Sequence, residues 1–394
     1  MSIGLIDLII LLAAAQGIFL SVLIFHKHGR LFANRFLGTL ILLYSLLLLN
    51  LLIGDVGYSD TYYHLVPLTV GLAFFMIPLH YLYAKYLIRY ARFQPGDWLH
   101  FLPFLIWESF FLVGVLVWPD RPAFWARLIG SNRQEVGFIL FHWLIILQGS
   151  IYLSITVRGL RRYSRDIKVV FSSIEKVRLD WLTYITYMAL GVITIFFIEN
   201  LFLLGGVNLT GNFTLSSVLV AIYVYAIGYL GLSKSEVFAL PEIAASLRRL
   251  PELTASPVGD MEEQPTSQEK YEKSGLTPKK AEEYQSRLLD LMEKETPYLD
   301  GDLTLSSLAD RLSISPHNLS EVINTCLGQN FFDFVNRYRV EKAKQDLIDP
   351  AKQHLKILAV AYDAGFNSKS SFYAIFNKHT GMTPAEYRVR FGSQ

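Results

Sequence analysis

The chain has 394 residues, and its 36 basic and 34 acidic side chains leave a formal net charge of only +2, so any basic surface has to be local. Hydrophobic residues make up 52% of the sequence and the mean hydropathy is +0.33, which excludes an ordinary soluble protein and points to membrane segments. The single cysteine, Cys326, excludes a disulfide framework, and its place on an inward-leaning helix position reads as packing.

Seven stretches approach the roughly 20 apolar residues that a bilayer-spanning helix needs. They run Leu5 to Phe25, Phe36 to Ile53, Val66 to Leu87, Phe101 to Trp118, Gly137 to Val157, Trp181 to Leu204 and Phe213 to Leu232. The third carries Pro78, His80 and Lys85, which weaken its signal. Nothing basic precedes the first and no small-residue cleavage site follows it, so it is expected to be a retained anchor rather than a signal peptide. Residues 1–232 are therefore expected to form a seven-span membrane domain and sensor.

Loop charge sets the expected orientation. Lys27, Arg30 and Arg35 follow the first span, and Lys85, Arg89 and Arg92 follow the third. After the fifth come Arg158, Arg161, Arg162, Arg165, Lys168, Lys176 and Arg178, whereas the second and sixth loops have no Lys or Arg. Arg121, Arg127 and Arg133 in the fourth loop blur the pattern. The positive-inside rule then puts the N-terminus outside and, after seven crossings, the C-terminus in the cytoplasm, as in a multi-pass protein of a bacterial inner membrane.

Polar residues inside spans usually face a bundle interior or a cavity. Gln16, Asn50, His80, Glu108, His142, Gln148, Glu199 and Asn200 are of this kind. Glu108, His142, Gln148, Glu199 and Asn200 are candidates for a pocket that senses an unknown small-molecule or membrane-borne signal. Interhelical hydrogen bonding that only fixes packing is the competing reading. His26-Lys27-His28 has a metal-like look, but a basic loop at a membrane suits lipid headgroups better, and no metal site is assigned.

Residues 233–280 read as a juxtamembrane helix and flexible linker. PEIAASLRRL, Pro241 to Leu250, suits an amphipathic helix at the membrane surface or a plain juxtamembrane helix. Pro251 to Lys280 is rich in Pro, Glu, Ser, Thr and Lys and is expected to be a disordered tether. Lys279 to Glu295 places Tyr284, Leu288, Leu289 and Met292 on one side, as a helix packed under the segment that follows.

Residues 281–394 contain two helix-turn-helix patterns, at about 303–328 and 356–381. In the first, Leu303 to Leu312 forms one helix and Ser315-Pro316-His317-Asn318 opens another. Leu319, Val322, Ile323 and Leu327 face the core of that second helix, leaving His317, Ser320, Glu321 and Asn324 outward. FFDFVNRYRVEKAKQDL, Phe331 to Leu347, is a linker helix with apolar Phe331, Phe334, Val335, Tyr338 and Ala343.

The second pattern is sharper. Ile357, Leu358, Val360 and Ala361 make a short apolar helix, Gly365 supplies the turn, and Asn367 or Ser368 caps the next helix. Phe372, Ile375, Phe376 and His379 share its inner face, so Lys369, Ser370, Tyr373, Ala374 and Asn377 face away. Gly381 stops it, and Thr383-Pro384-Ala385-Glu386 opens a further helix with a capping box. An outward polar face on the second helix of such a unit is what a major groove receives.

AVAYDAGFNSKSSFYAIFNKHTGMTPAEYR, supported by FFDFVNRYRVEKAK, gives Leu303 to Arg388 a resemblance to the DNA-binding domain of the AraC/XylS family. The resemblance implies that His317, Ser320, Glu321 and Asn324, with Lys369, Ser370, Ser371 and Tyr373, approach double-stranded DNA; Asn377 is added from helical spacing alone. Ser313 departs from the pattern, because the family often has Gly in that turn.

From Ala351 onward Lys352, Lys356, Lys369, Lys378, Arg388 and Arg390 face only Asp363 and Glu386, whereas acids exceed bases from Lys279 to Pro350. Phosphate attraction should therefore come mainly from the second unit. No P-loop, dinucleotide fingerprint, zinc-site spacing or nucleophile elbow is present, so the chain reads as a non-enzyme without cofactors. The expected architecture is all-α: a seven-helix transmembrane bundle joined by a disordered linker to a cytoplasmic tandem helix-turn-helix domain.

The expected function is a membrane-anchored, sequence-specific transcriptional regulator that couples an extracellular or membrane signal to transcription. Its partners would be DNA, the lipid bilayer, the signal and, as one option, a second copy in a homodimer. Two alternatives stand beside it. One is a membrane receptor or transporter whose helical tail binds a protein partner; the other is a passive anchor with proteolysis in the linker as the switch.

Overall fold

The structure, a computed structural model, describes residues 4–28, 31–55, 66–89, 94–117, 136–205, 207, 215–234, 241–254 and 276–392. Among these the regular elements are helical, and the chain divides into two compact units. Unit 1 comprises Met1–Arg161 and Leu179–Leu240; unit 2 comprises Arg162–Arg178 and Pro241–Gln394.

Among the described residues, unit 1 holds seven apolar helices, one for each expected span: α1 (Leu5–His28), α2 (Phe32–Asp55), α3 (Val66–Arg89), α4 (Leu102–Val117), α5 (Val136–Asp166), α6 (Asp180–Leu204) and α7 (Leu215–Lys234). The last turn of α5 passes into unit 2. Among the described residues, six of the seven are long and apolar enough to cross a membrane, and the 16 residues of α4 fall short of that length. Within the unit α1 packs on α2 and α7, α2 on α3 and α7, α3 on α4, and α6 on α7. Leu5, Phe19, Leu105, Ile106, Phe110 and Leu144 point outward and exposed, an arrangement suited to lipid rather than water.

The residues that weakened the third span are accommodated locally. His80 is buried, with Nδ1 2.8 Å from the Tyr223 hydroxyl and Nε2 3.1 Å from Thr186 Oγ1, so it ties α3 to α7 and α6. Lys85 reaches Asp97 at 2.5 Å, in the turn of 3-10 helix Pro95–Phe101, and that carboxylate also accepts from Tyr86. The paired cation explains how a basic residue is kept near the end of an apolar helix.

Unit 2 continues with α8 (Pro241–Thr254), α9 (Pro278–Lys294), α10 (Leu305–Leu312), α11 (Pro316–Glu321), α12 (Phe331–Ile348), α13 (Ile357–Asp363), α14 (Lys369–Thr380) and α15 (Pro384–Phe391). α8 extends through Pro251 to Thr254, so the start of the expected tether is helical; residues 255–275 lie outside the described ones. α9 buries Ala281, Leu288 and Met292 and packs under the first helix-turn-helix unit, where Leu276, Ala281 and Val322 form a core with Tyr284 and Cys326 against it. This agrees with the sequence expectation for that helix and with a packing role for Cys326.

One part of unit 2 had no sequence signal. Arg162–Arg178, the loop between α5 and α6, is folded into the domain and buries Ile167, Val170, Phe171 and Val177. Phe171 forms an antiparallel bridge with Thr304, in which Leu305 N–H donates to the Val170 carbonyl at 2.9 Å and Ser172 N–H to that of Leu303 at 3.3 Å.

Candidate nucleic-acid interface

Each helix-turn-helix unit is set by local capping. Thr304 caps α10 by accepting from Ser307 N–H, and Ser313 ends it in the left-handed region, at φ 57° and ψ 41°. This is the turn where the family often has Gly, and the Ser backbone adopts the conformation a Gly would take at no steric cost. Ser315 caps α11, accepting from Asn318 N–H at 3.1 Å, and the helix runs on through a wide turn, Val322–Cys326, to Gly328 at φ 65°.

The second unit follows its expected pattern closely. Gly365 has φ 90°, and a Cβ there would lie 2.3 Å from the Tyr298 carbonyl oxygen, so both the turn and the close approach demand glycine. Ser368 caps α14 through Ser371 N–H at 3.1 Å, and Gly381 closes it at φ 71°. Thr383 and Glu386 form the capping box of α15. Phe372, Ile375 and Phe376 are buried as expected. His379 is exposed, which corrects its placement in the core: it lies in the last turn, where the inner face has run off the packed surface.

The linker helix α12 fixes the two units in one body. Asn330 caps it, and Phe331, Phe334, Val335, Val340, Ala343 and Leu347 are buried. Lys378 of α14 donates to Asp333 of α12 at 2.9 Å. Asn367, before α14, donates to the Gly301 carbonyl at 2.8 Å and to Asp302 at 2.9 Å, and Asp302 also receives Lys176 at 2.9 Å. Partial burial raises the Asp333 carboxyl, but Lys378 and Asn330 outweigh it and hold the group below the usual carboxylate range.

Buried polar residues on α12 complete the frame. Arg339 is 1% exposed and donates through Nε to the Tyr298 carbonyl at 2.8 Å and through Nη2 to that of Asp300 at 2.8 Å. It also reaches the Ser172 carbonyl at 3.1 Å and the Ser172 hydroxyl at 2.9 Å. Asn336 adds a bond to the Ser172 carbonyl at 3.0 Å. Burial draws the guanidinium down to about 10, opposed by Glu175, Asp300 and Asp302, which leaves it a cation at neutral pH.

The outward residues separate into two sets. On α14, Lys369, Ser370, Ala374, Asn377 and Lys378 are exposed, with Ser371 and Tyr373 half-buried. Lys369 Nζ lies 5.6 Å from the centre of the Tyr373 ring, which holds the ammonium over the first turn. On the first unit, Ser320 is buried and His317, Glu321 and Asn324 are half-buried, with Asn324 donating to Ser320 Oγ at 3.2 Å. The expectation that these four form an open face is therefore corrected: helical spacing turns them away from the unit's own core, but α8 packs against α11.

None of Glu108, His142, Gln148, Glu199 and Asn200 lines the small cavity of about 50 Å³ in unit 1, which is lined by Tyr44, Ile77, His80, Val192, Val220 and Tyr223 among others. Glu199 accepts from Ser216 N–H at 3.1 Å and Oγ at 2.7 Å, and Asn200 donates to the Phe196 carbonyl. Gln148 donates to the Phe74 carbonyl at 3.4 Å, His142 stacks at a tilt on Phe196, and Glu108 is half-buried beside the Gly71 turn of α3.

The sequence model of one protein family, described as a helix-turn-helix domain, matches residues 308–390. Curated relatives each match about a quarter of the chain. An uncharacterized HTH-type transcriptional regulator of Escherichia coli (strain K12), YpdC, is 35% identical over 89 residues, which is 23% of this chain and 30% of that protein. A second from the same strain, YijO, is 34% identical over 113 residues, 28% of this chain and 39% of the relative. One from Staphylococcus aureus (strain COL) is 37% identical over 87 residues, 22% of this chain and 11% of its own length. The chain thus covers well under two thirds of these relatives, and no solved structure gives a significant match. Residues 308–390 are a helix-turn-helix domain of the AraC type, carried by a chain whose N-terminal half contains several long apolar helices.

Proposed function

We propose that the protein is a membrane-anchored transcriptional regulator that binds double-stranded DNA through α14 and couples events at the bilayer to transcription. The observation that carries this reading is the open polar face of α14, with Lys369, Ser370 and Asn377 exposed above a core of Phe372, Ile375 and Phe376. A helix presented in this way fits the major groove, where Lys369 reaches guanine O6/N7 or phosphate and Asn377 pairs with adenine. Ser371 and Tyr373 on the same helix, with His317, Ser320, Glu321 and Asn324 of the first unit, complete the contact set. The six apolar helices support membrane anchoring, and loop charge supports an outer N-terminus with the helix-turn-helix domain in the cytoplasm of a bacterial cell.

Within unit 1, Glu108, His142, Gln148, Glu199 and Asn200 remain the sensing candidates. Target expression that stays unchanged in Glu199→Gln across ligand and pH conditions would remove Glu199 from that role. DNA binding itself is tested by selecting a randomised duplex pool on the full-length protein in lipid nanodiscs. The expected result is a motif that the Lys369→Ala/Ser370→Ala variant no longer enriches. A pool without any enriched motif would turn the account toward a receptor whose helical tail binds protein.

A further inference from the structure

The two recognition helices differ in how open they are. The outward face of α14 is exposed, whereas on α11 Ser320 is 7% exposed and His317 and Glu321 are half-buried. Beside α10, the helix packed against α11 is α8, and it spends its apolar face inside unit 2: Leu247, Leu250 and Leu253 are buried with Ser246, while Arg248, Arg249 and Glu252 are exposed. An amphipathic helix lying on a bilayer would give that leucine face to lipid. Arg249 also reaches Ser306 Oγ, in the first turn of α10, at 3.4 Å. Its charge, with that of Arg248, falls on the half of the domain where acids outnumber bases.

α8 also packs against the turn Ile167–Val169, part of the loop between α5 and α6. This loop is not loosely laid on the domain. Ile167 and Val170 are fully buried, Phe171 pairs with Thr304, and Ser172 is locked by Leu303, Asn336 and Arg339. A strap that continues covalently into two membrane helices thus holds the same helix that lies over α11.

We propose that α8 is an intramolecular cap on the first recognition helix, held in place by the Ile167–Ser172 strap, so that displacement of α5 or α6 releases it. In the capped state the second unit alone reads DNA. After release both units address the duplex, on two elements about one helical turn, or about 10 base pairs, apart. The proposal rests on the DNA-binding reading above and adds a regulated choice between one and two contact points.

The test uses full-length protein in lipid nanodiscs and a randomised duplex pool, comparing the wild type with Leu247→Glu/Leu250→Glu and, separately, with Arg249→Ala, which puts no charge in a buried place. The wild type should enrich one short motif. The double variant should enrich two motifs about 10 base pairs apart and bind the two-motif duplex at least about tenfold tighter than the wild type does; Arg249→Ala should shift in the same direction by less. The second-unit motif serves as the folding control, and if the double variant loses it, Arg249→Ala decides. Two motifs already present for the wild type, or a single unchanged motif for the variants, would overturn the cap while leaving DNA binding intact. No motif from any form would overturn both.

Discussion

Arg339 and Ser172, 167 residues apart in sequence, meet in the interior of unit 2, where the guanidinium donates to the serine carbonyl at 3.1 Å and to its hydroxyl at 2.9 Å. The same side chain serves the Tyr298 and Asp300 carbonyls. One cation therefore serves the backbone of the loop between the apolar helices α5 and α6 and of the segment leading into the first helix-turn-helix unit. Removing it takes a charged donor from three carbonyls, of which that of Ser172 keeps Asn336 and that of Asp300 keeps the Leu303 N–H, so Arg339→Ala should destabilise unit 2 by about 3 kcal/mol, and Arg339→Lys should not restore it, since an ammonium lacks the planar fork. Ser172→Ala should cost about 1 kcal/mol. Chemical denaturation of the full-length protein in detergent, followed by far-UV circular dichroism, orders the three variants.

The exposed ammonium of Lys369 gives a second expectation. Lys369→Ala should weaken DNA binding, and affinity measured against salt concentration separates two modes of contact. A loss that is uniform across sequences, with a salt slope reduced by about one, identifies a phosphate contact; a loss confined to the preferred sequence identifies a base contact. An unchanged affinity at every salt concentration would remove Lys369 from the interface.

Backbone conformation separates two turn positions of similar function. Ser313 holds φ 57°, so Ser313→Gly relieves a left-handed conformation and should stabilise the domain by about 1 kcal/mol. Gly365 holds φ 90° against the Tyr298 carbonyl, so Gly365→Ala should destabilise it by more than that. Thermal melts of the two variants should move in opposite directions.

Acid should loosen the contact between α12 and α14. The Asp333 carboxyl is raised by partial burial but held, on balance, below its ordinary value by Lys378 and Asn330; Asp346, raised by burial, is held low by Lys342 and Lys352. A carboxyl depressed in the folded state adds stability above its unfolded pKa, about 3.9, and that stability is lost as pH falls through the lower folded value. Unfolding measured against pH should therefore show stability falling below about pH 4. The slope should be shallower in Asp333→Asn, with part of the neutral-pH stability already gone.

Much of this architecture is legible in the residues. The second unit could be read almost whole, because Gly365, Ser368, Gly381 and the Thr383/Glu386 box mark every helix end by local chemistry that tertiary packing does not override. All seven apolar stretches are helical where described, since twenty apolar residues in a row leave few other choices. The strap was not legible. Its contacts join residues more than a hundred positions apart, and a short loop with no period carries no sign of what it pairs with. Nor did helical spacing reveal Arg339 and Asn336 as interior residues, because polar side chains on a helix are assigned outward by default. The face of α11 was misread for the same reason: periodicity identifies which side turns away from its own core, and carries no sign that α8 packs against this helix.

The central claim, that this protein acts on DNA, is tested most directly by chromatin enrichment of the full-length protein in its own cells beside the Lys369→Ala/Ser370→Ala variant. Discrete genomic peaks that disappear in the variant are the predicted result. The absence of peaks under every growth condition, or peaks that persist unchanged in the variant, would contradict it.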